Sequence, residues 1–329
     1  MLLKSTYRNG SRPYLMKLSV VMITYNHERY IAQAIESALA QKVNFPYEIV
    51  IGEDCSTDGT RAVVADFARR YPKQIRALLR TQNLGMNRNL ADTLAACGGE
   101  YVAYLEGDDY WTSVDKLQRQ VDFLDAHPDR VLCCTRVHFL NEAGHAEYGT
   151  FPLLPAGAYT IDDLLKTNFI ATCSTVLRRE LAGPLPPWLF KMKLSDYPLW
   201  VMAARHGKIE LLDDITASYR VHSGGAWSSL SHIEKHQGYT RMMRALDKEL
   251  NFEYTRSFTE MTAPPYLQFA LEARSQGRRI DVARHLISWA RNGGLRLPVN
   301  PRLPAGLATY VLIGSGYKMF SRAKSEARS

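Results

Sequence analysis

The chain has 329 residues, 46% hydrophobic and 22% charged, which excludes disordered, collagen-like and coiled-coil proteins and suggests two domains or one large domain with an appendage. Its net charge of +8 is local: residues 230–329 carry 16 Lys and Arg against 8 Asp and Glu, whereas residues 1–229 balance at 25 each. A basic tail on a neutral body suggests either a solvated helical face with ordinary charge scatter or, equally, an anionic membrane face, both ahead of nucleic acid, for which no base-stacking module is present.

Residues 1–15 are basic and polar, without the apolar core of a signal peptide, and read as a flexible extension or a misassigned start before Met16. Leu18–Ile23 is a short apolar, β-branched run, as expected of a buried parallel strand. Ile31, Ile35, Ala38 and Leu39 then fall on one face of a helix. Tyr47–Gly52 repeats the strand pattern, and Thr60–Tyr71 reads as a helix stopped by Pro72. A strand at Ile75–Leu79, a helix at Asn89–Cys97 and a strand at Tyr101–Leu105 follow. Alternation of this kind predicts an α/β fold with a mostly parallel sheet flanked by helices, whose ligands bind beyond the carboxyl ends of the strands. Next come a helix at Lys116–His127, a strand at Val131–Val137, helices at Ile161–Lys166 and Pro198–His206, and a strand at Ile209–Leu212. Beyond residue 229 the texture changes to amphipathic helices at His232–Leu250, Tyr266–Gln276 and Ile280–Arg291, so a 16–229 domain and a basic helical 230–329 region are expected. No run approaches the ~18 apolar residues of a membrane span. The five cysteines, Cys55, Cys97, Cys133, Cys134 and Cys173, have no metal or disulfide spacing, which fits a reducing cytoplasm.

Three acidic groups stand at strand ends or helix starts. In Glu53–Thr60, Asp58 and Thr60 read as a helix cap, whereas Asp54 is free to accept hydrogen bonds from a base or a ribose. Glu106, Asp108 and Asp109 crowd into four residues after an apolar strand. Such carboxylates repel one another unless a cation neutralises them, and oxygen ligation suits Mg²⁺ or Mn²⁺. Asp196, before a helix carrying Pro198, is most simply an N-cap when read alone. Trp200 and Trp289 read as core, while Trp111 and Trp227 are equally suited to core and to sugar stacking.

Taken together, V-V-M-I-T-Y-N-H-E (20–28), E-I-V-I-G-E-D-C-S-T-D-G-T (48–60), N-L-G-M-N-R-N (83–89) and G-E-Y-V-A-Y-L-E-G-D-D-Y-W (99–111) resemble family 2 glycosyltransferases of the GT-A (nucleotide-diphospho-sugar transferase, Rossmann-like) fold, especially bacterial surface-polysaccharide members. The runs at 167–179, 195–200 and 219–228 resemble the family's acceptor half, so the likeness spans residues 17–228. It implies that Thr24, Tyr25, Asp54, Arg88 and Asp108 contact the nucleotide. By the same likeness Asp108 and Asp109, with Glu106 through water, hold the divalent metal. His222 would close over the diphosphate beside them as a further metal ligand, and Asp196 would serve as the general base. Glu106 stands where the family has an Asp, and Ser195 where it often has an acid. The implied reaction is inverting transfer from a nucleotide-diphosphate sugar, UDP-linked first, to a growing and lipid-linked cell-surface glycan. It would take place in the cytoplasm, with the 230–329 region as peripheral contact to the inner face of an anionic membrane. The alternatives are a degenerate nucleotide-sugar-binding or scaffold protein and a sugar nucleotidyltransferase. The second needs a Gly-rich loop after the first strand, and Thr24–Arg29 contains no glycine. A dinucleotide-binding dehydrogenase lacks its G-x-G-x-x-G.

Overall fold

The structure, a computed structural model, describes residues 16–141, 145, 149–192, 196–225 and 230–294. The expectations for residues 1–15, Ser195, Trp227 and everything beyond residue 294 lie outside the described residues.

In chain order the body contains β1 (Met16–Thr24), α1 (Ile31–Leu39), β2 (Tyr47–Glu53), α2 (Thr60–Arg70), β3 (Ile75–Leu79), α3 (Met86–Ala96), β4 (Gly99–Tyr104), β5 (Tyr110–Trp111), α4 (Lys116–Ala126) and β6 (Arg130–Leu140). There follow β7 (Thr150–Phe151), β8 (Gly157–Tyr159), α5 (Ile161–Lys166), β9 (Val176–Arg178), α6 (Asp196–Ala204) and β10 (Lys208–Arg220). The helical region adds α7 (His232–Glu249), α8 (Thr255–Thr262), α9 (Pro264–Ser275) and α10 (Arg279–Arg291).

One sheet runs in the order β3-β2-β1-β4-β9-β6-β10-β5, with β7 on β6 and β8 on β10. The six long strands point the same way, and the short strands β5, β7, β8 and β9 run against them. The sheet is therefore mixed, and the sequence reading missed the antiparallel insertions because two or three residues carry no visible period. Alternation sorts the long strands onto two faces. Leu18, Val20, Met22, Ile49, Ile51, Tyr101 and Ala103 face α1, α2 and α4, through Ile35, Phe67 and Val121. Val21, Val50, Val102 and Tyr104 face the opposite layer, which includes Leu90, Leu94, Leu164 and Trp200. Met242, Met243 and Leu246 of α7 and Phe258 of α8 join that second core, so the helical region is continuous with the body at this point.

Some boundaries moved for identifiable reasons. Helix α3 begins at Met86 rather than Asn89, because Asn87 and Asn89 are buried and interrupt the apolar stripe. Strand β10 continues past Leu212, where the apolar run ends, as far as Arg220. Its second half is disguised by Asp213, Asp214, Thr216 and Ser218 and by register shifts around Ile215.

Candidate active site

The ends of β1, β2, β4 and β10 bring the chemistry-bearing residues to one edge of the sheet. Thr24 closes β1, and Tyr25 beyond it is 42% exposed. Asn26 and Cys55, just past β1 and β2, both adopt left-handed backbone (φ 57° and 60°), a conformation that costs free energy in non-glycine residues and persists where surrounding contacts enforce it. Those contacts are present. The Asn26 backbone N–H donates to Ser56 Oγ (3.0 Å), the Thr57 N–H donates to Asn26 Oδ1 (2.8 Å), and the Gly59 N–H donates to Glu28 (3.0 Å). Asp58 accepts from the N–H groups of Thr60 (3.0 Å) and Glu28 (3.1 Å), so it ties the start of α2 to the loop after β1.

Asp54 is buried, and its two carboxylate oxygens accept the N–H groups of Leu84 (2.7 Å) and Gly85 (2.9 Å). Gly85 has φ 81°, open to glycine at little cost, and it turns the loop into α3. Burial raises the Asp54 pKa against the pull of those two N–H groups. Glu53, which the sequence reading passed over, is buried and pairs with Arg61 at 2.9 Å. Arg88 lies on α3 with its guanidinium 5.0 Å from the centre of the Phe190 ring, and no described bond joins it to Tyr25 or Asp54.

The turn after β4 holds the three acids. Asp109 is buried, and its carboxylate accepts the Arg220 backbone N–H at 2.8 Å and meets the Cys173 thiol. The Asp108 carboxylate accepts from His222 Nε2 at 3.1 Å when that nitrogen carries its proton, and lies 3.7 Å from His27 Nε2. Glu106 has a buried Oε2 with no hydrogen-bond partner. Burial, then the charges of Asp109, Asp108 and Asp196, push Glu106 well above the usual carboxylate range. Burial and the Asp108 charge do the same to Asp109. Burial works against the Asp108 carboxylate too, but the His27 and His222 imidazoles outweigh it and hold this pKa below its ordinary value. The Arg220 guanidinium donates to the Asp108 carbonyl and to Gln33, and packs over the rings of Tyr30 (5.0 Å) and Tyr110 (4.6 Å). On the other side, Asp196 opens α6, and its Oδ2 accepts the Thr172 hydroxyl at 2.8 Å.

Thus Thr24, Tyr25, Asp54, Glu106, Asp108, Asp109 and His222 share one edge, and the Asp196 charge acts on Glu106. His27, Gln33 and Arg220 belong to the same cluster but were not singled out from the sequence, although Arg220 stands in the run that contains His222. Trp111 is not a sugar platform. It is 4% exposed, and its indole N–H donates to the Cys173 carbonyl at 2.7 Å. Trp200 is fully buried against Tyr104. Among the described residues no three His, Cys, Asp or Glu side chains converge as a closed metal cage. The donor set still fits Mg²⁺ or Mn²⁺, which bind through one or two carboxylates together with phosphate oxygens and water. Glu106 Oε2 is an orphaned buried oxygen, and Asp108 has the more exposed carboxylate of the acidic turn's two aspartates.

The family model for glycosyl transferase family 2 matches residues 19–183. An uncharacterized protein of Mycobacterium tuberculosis is 39% identical over 216 residues, covering 64% of this chain and 61% of that protein. The match thus spans about three fifths of the length of that relative. TarS of Staphylococcus aureus, a poly(ribitol-phosphate) beta-N-acetylglucosaminyltransferase, is 34% identical over 122 residues, 36% of this chain and 20% of TarS. The structure of TarS residues 1–349 in complex with UDP-GlcNAc superposes with TM-score 0.57 and 19% identity, covering 94% of this chain and 83% of that one. A mannosyltransferase of Pyrobaculum calidifontis in complex with GDP-Man and Mn²⁺ gives TM-score 0.54 at 16% identity, covering 95% and 84%. These likenesses establish a GT-A-like fold.

Proposed function

The chain belongs to glycosyl transferase family 2, and from that membership we propose that it moves a sugar from a nucleoside-diphosphate donor, a UDP-sugar first, to a hydroxyl of a growing cell-surface glycan. The observation that carries this reading is the gathering of Tyr25, Asp54, Asp108 and His222 at one sheet edge with Asp196 across from them. The UDP-GlcNAc in the TarS complex supports the choice of donor.

The exposed Tyr25 ring offers a face to the base. Asp54 has about four lone-pair positions, two of them taken by Leu84 and Gly85, and the others accept from a base N–H. The donor's phosphates lie beside Asp108 and His222. Asp108 and Glu106 would hold Mg²⁺ or Mn²⁺, which supplies positive charge opposite the departing diphosphate. Asp196 spends one oxygen on Thr172 and keeps the other for the acceptor hydroxyl. As that hydroxyl oxygen bonds to the anomeric carbon, its proton passes to Asp196, and the carbon–oxygen bond to the phosphate breaks with its electron pair leaving on the diphosphate. One displacement of this kind inverts the anomeric configuration. We propose further that the acceptor is lipid-linked and that the 230–329 region meets the cytoplasmic face of an anionic membrane. On α10, Ile280 (77% exposed) and Ile287 (51%) are two turns apart on one face, with Arg284 between them and Arg291 one turn beyond, at successive spacings of four, three and four. That basic and apolar strip suits anionic lipid.

A thermal-shift panel of UDP, GDP, dTDP, CDP and ADP, each with Mn²⁺, Mg²⁺ or EDTA, tests the donor site. UDP is expected to stabilise the protein in a metal-dependent manner, by about 2.7 kcal/mol at 100-fold over Kd, and Asp108→Ala is expected to abolish the shift. No shift with any nucleotide in folded wild type would overturn the reading. Asp196→Asn should keep the shift and lose turnover.

A further inference from the structure

The short turn Thr172–Ser174 touches both halves of the site. It lies between α5 and β9 and is almost fully buried. Its three residues each bind a different element. The Thr172 hydroxyl donates to Asp196 Oδ2 at 2.8 Å. The Cys173 carbonyl accepts the Trp111 indole N–H at 2.7 Å, and its thiol meets the Asp109 carboxylate. The Ser174 carbonyl accepts from Gln120 Nε2 at 2.9 Å. The carbonyl of the next residue, Thr175, accepts the Tyr104 backbone N–H at the end of β4 at 3.1 Å. The turn holds itself by Ser174 Oγ donating to the Ala171 carbonyl (2.7 Å) and the Thr175 N–H donating to the Thr172 carbonyl (3.1 Å).

This arrangement has a consequence for Asp196. The Asp109–Trp111 segment sits on the donor side and α6 on the acceptor side, and they are far apart in sequence. Their common contact is a rigid buried turn that grips Asp109 and Trp111 with one residue and Asp196 with its neighbour. The terminal torsion of an aspartate is broad, so its two oxygens are not aimed unless a partner fixes one of them. Thr172 fixes Oδ2, which leaves Oδ1 as the oxygen to meet an incoming hydroxyl.

We propose that Thr172 is a positioning residue for Asp196, and that the turn Thr172–Ser174 sets the spacing between the acidic motif of the donor half and the base of the acceptor half. This rests on the reading of Asp196 as the base. Hydrogen bonds that orient a metal-ligating side chain typically cost about 10–100-fold when lost, and a loss on that scale is expected for one that aims a general base. Thr172→Val, which keeps shape and removes the hydroxyl, therefore lowers kcat for nucleoside diphosphate release from the sugar donor by about that factor, with donor KM and the nucleotide thermal shift unchanged. Thr172→Ser, which keeps the hydroxyl, restores kcat to near wild type. A thermodynamic cycle of Thr172→Val, Asp196→Ala and the double variant, read by urea unfolding, shows non-additive midpoints, because either single change removes one partner of the same bond.

Additive midpoints would overturn the contact, and unchanged kcat in Thr172→Val would overturn the positioning role. So would loss of donor binding in step with kcat, or a Thr172→Ser variant no better than Thr172→Val. The cycle needs no substrate, so it decides the contact even if wild type binds no nucleotide, the result that sinks the transferase reading instead.

Discussion

Replacing Lys116 by methionine tests the electrostatics beneath the acidic motif. Lys116 is fully buried on α4, donates to Gln120 Oε1 at 2.5 Å, and lies 4.7 Å from the centre of the Trp111 ring. No salt bridge to a carboxylate accompanies it among the described residues. Burial lowers its pKa from 10.5 to about 8, so the fold favours the neutral amine. At about 1.4 kcal/mol per unit, burying the ammonium costs about 3 kcal/mol of stability below pH 8. The direction with pH follows from proton counting. Between pH 8 and 10.5 the unfolded lysine binds more proton than the folded one, so stability rises with pH across that window.

At pH 7 the methionine variant escapes this cost. It loses a cation–π contact of about 0.5–2 kcal/mol and leaves Gln120 Oε1 without its donor, about 1–3 kcal/mol. The two effects nearly cancel, and the variant unfolds close to wild type. At pH 9.5 the wild-type lysine has shed most of its cost, about 2 kcal/mol, and wild type becomes the more stable by that amount. Urea unfolding of both proteins at pH 7 and 9.5, compared as a difference, removes the tyrosines and cysteines that titrate in both. Parallel pH profiles would refute a depressed lysine pKa, and a large loss at pH 7 would refute the near cancellation.

Gly107 leaves no room for a side chain. A Cβ there would stand 2.6 Å from Thr24 Oγ1, 2.7 Å from Thr24 Cβ and 3.0 Å from His27 Nδ1, so Gly107→Ala should cost about 1–3 kcal/mol and remove the nucleotide thermal shift; an unchanged melting temperature with intact binding would contradict the packing. In the helical region His236 is buried, and burial lowers its pKa to about 4 although its Nε2 meets the Thr262 carbonyl at 2.8 Å. Below pH 6.5 the unfolded histidine takes a proton that the folded one resists, so about 2 kcal/mol of stability is lost by pH 5, and His236→Gln should flatten that part of a urea-midpoint profile. Flotation with anionic vesicles should carry the full chain to the lipid fraction in low salt, and Ile280→Glu with Ile287→Glu should leave it behind; equal recovery on neutral vesicles would exclude an electrostatic contribution.

The sequence showed the βαβ order because each long strand is an uninterrupted apolar run and each helix has one apolar face. It also showed where the acids stand, because Asp54 and Glu106–Asp109 come directly after such runs, at the carboxyl ends of strands. It did not show the partners that give those acids their character. Asp109 is held by a backbone N–H 111 residues away and by a thiol in a turn, and neither leaves a trace in local periodicity. The family likeness pointed to His222 but not to His27, and only the fold places both imidazoles against one carboxylate. Trp111 reads as equally suited to the core and to a sugar platform, since local sequence does not show that the Cys173 carbonyl and the Lys116 ammonium cover it. In this fold the residues that carry charge are local signals, whereas the charge state and aim of each is a long-range property. A substitution at Thr172, which lies neither in the acidic motif nor beside Asp196 in sequence, therefore tests the site as directly as one in the motif itself.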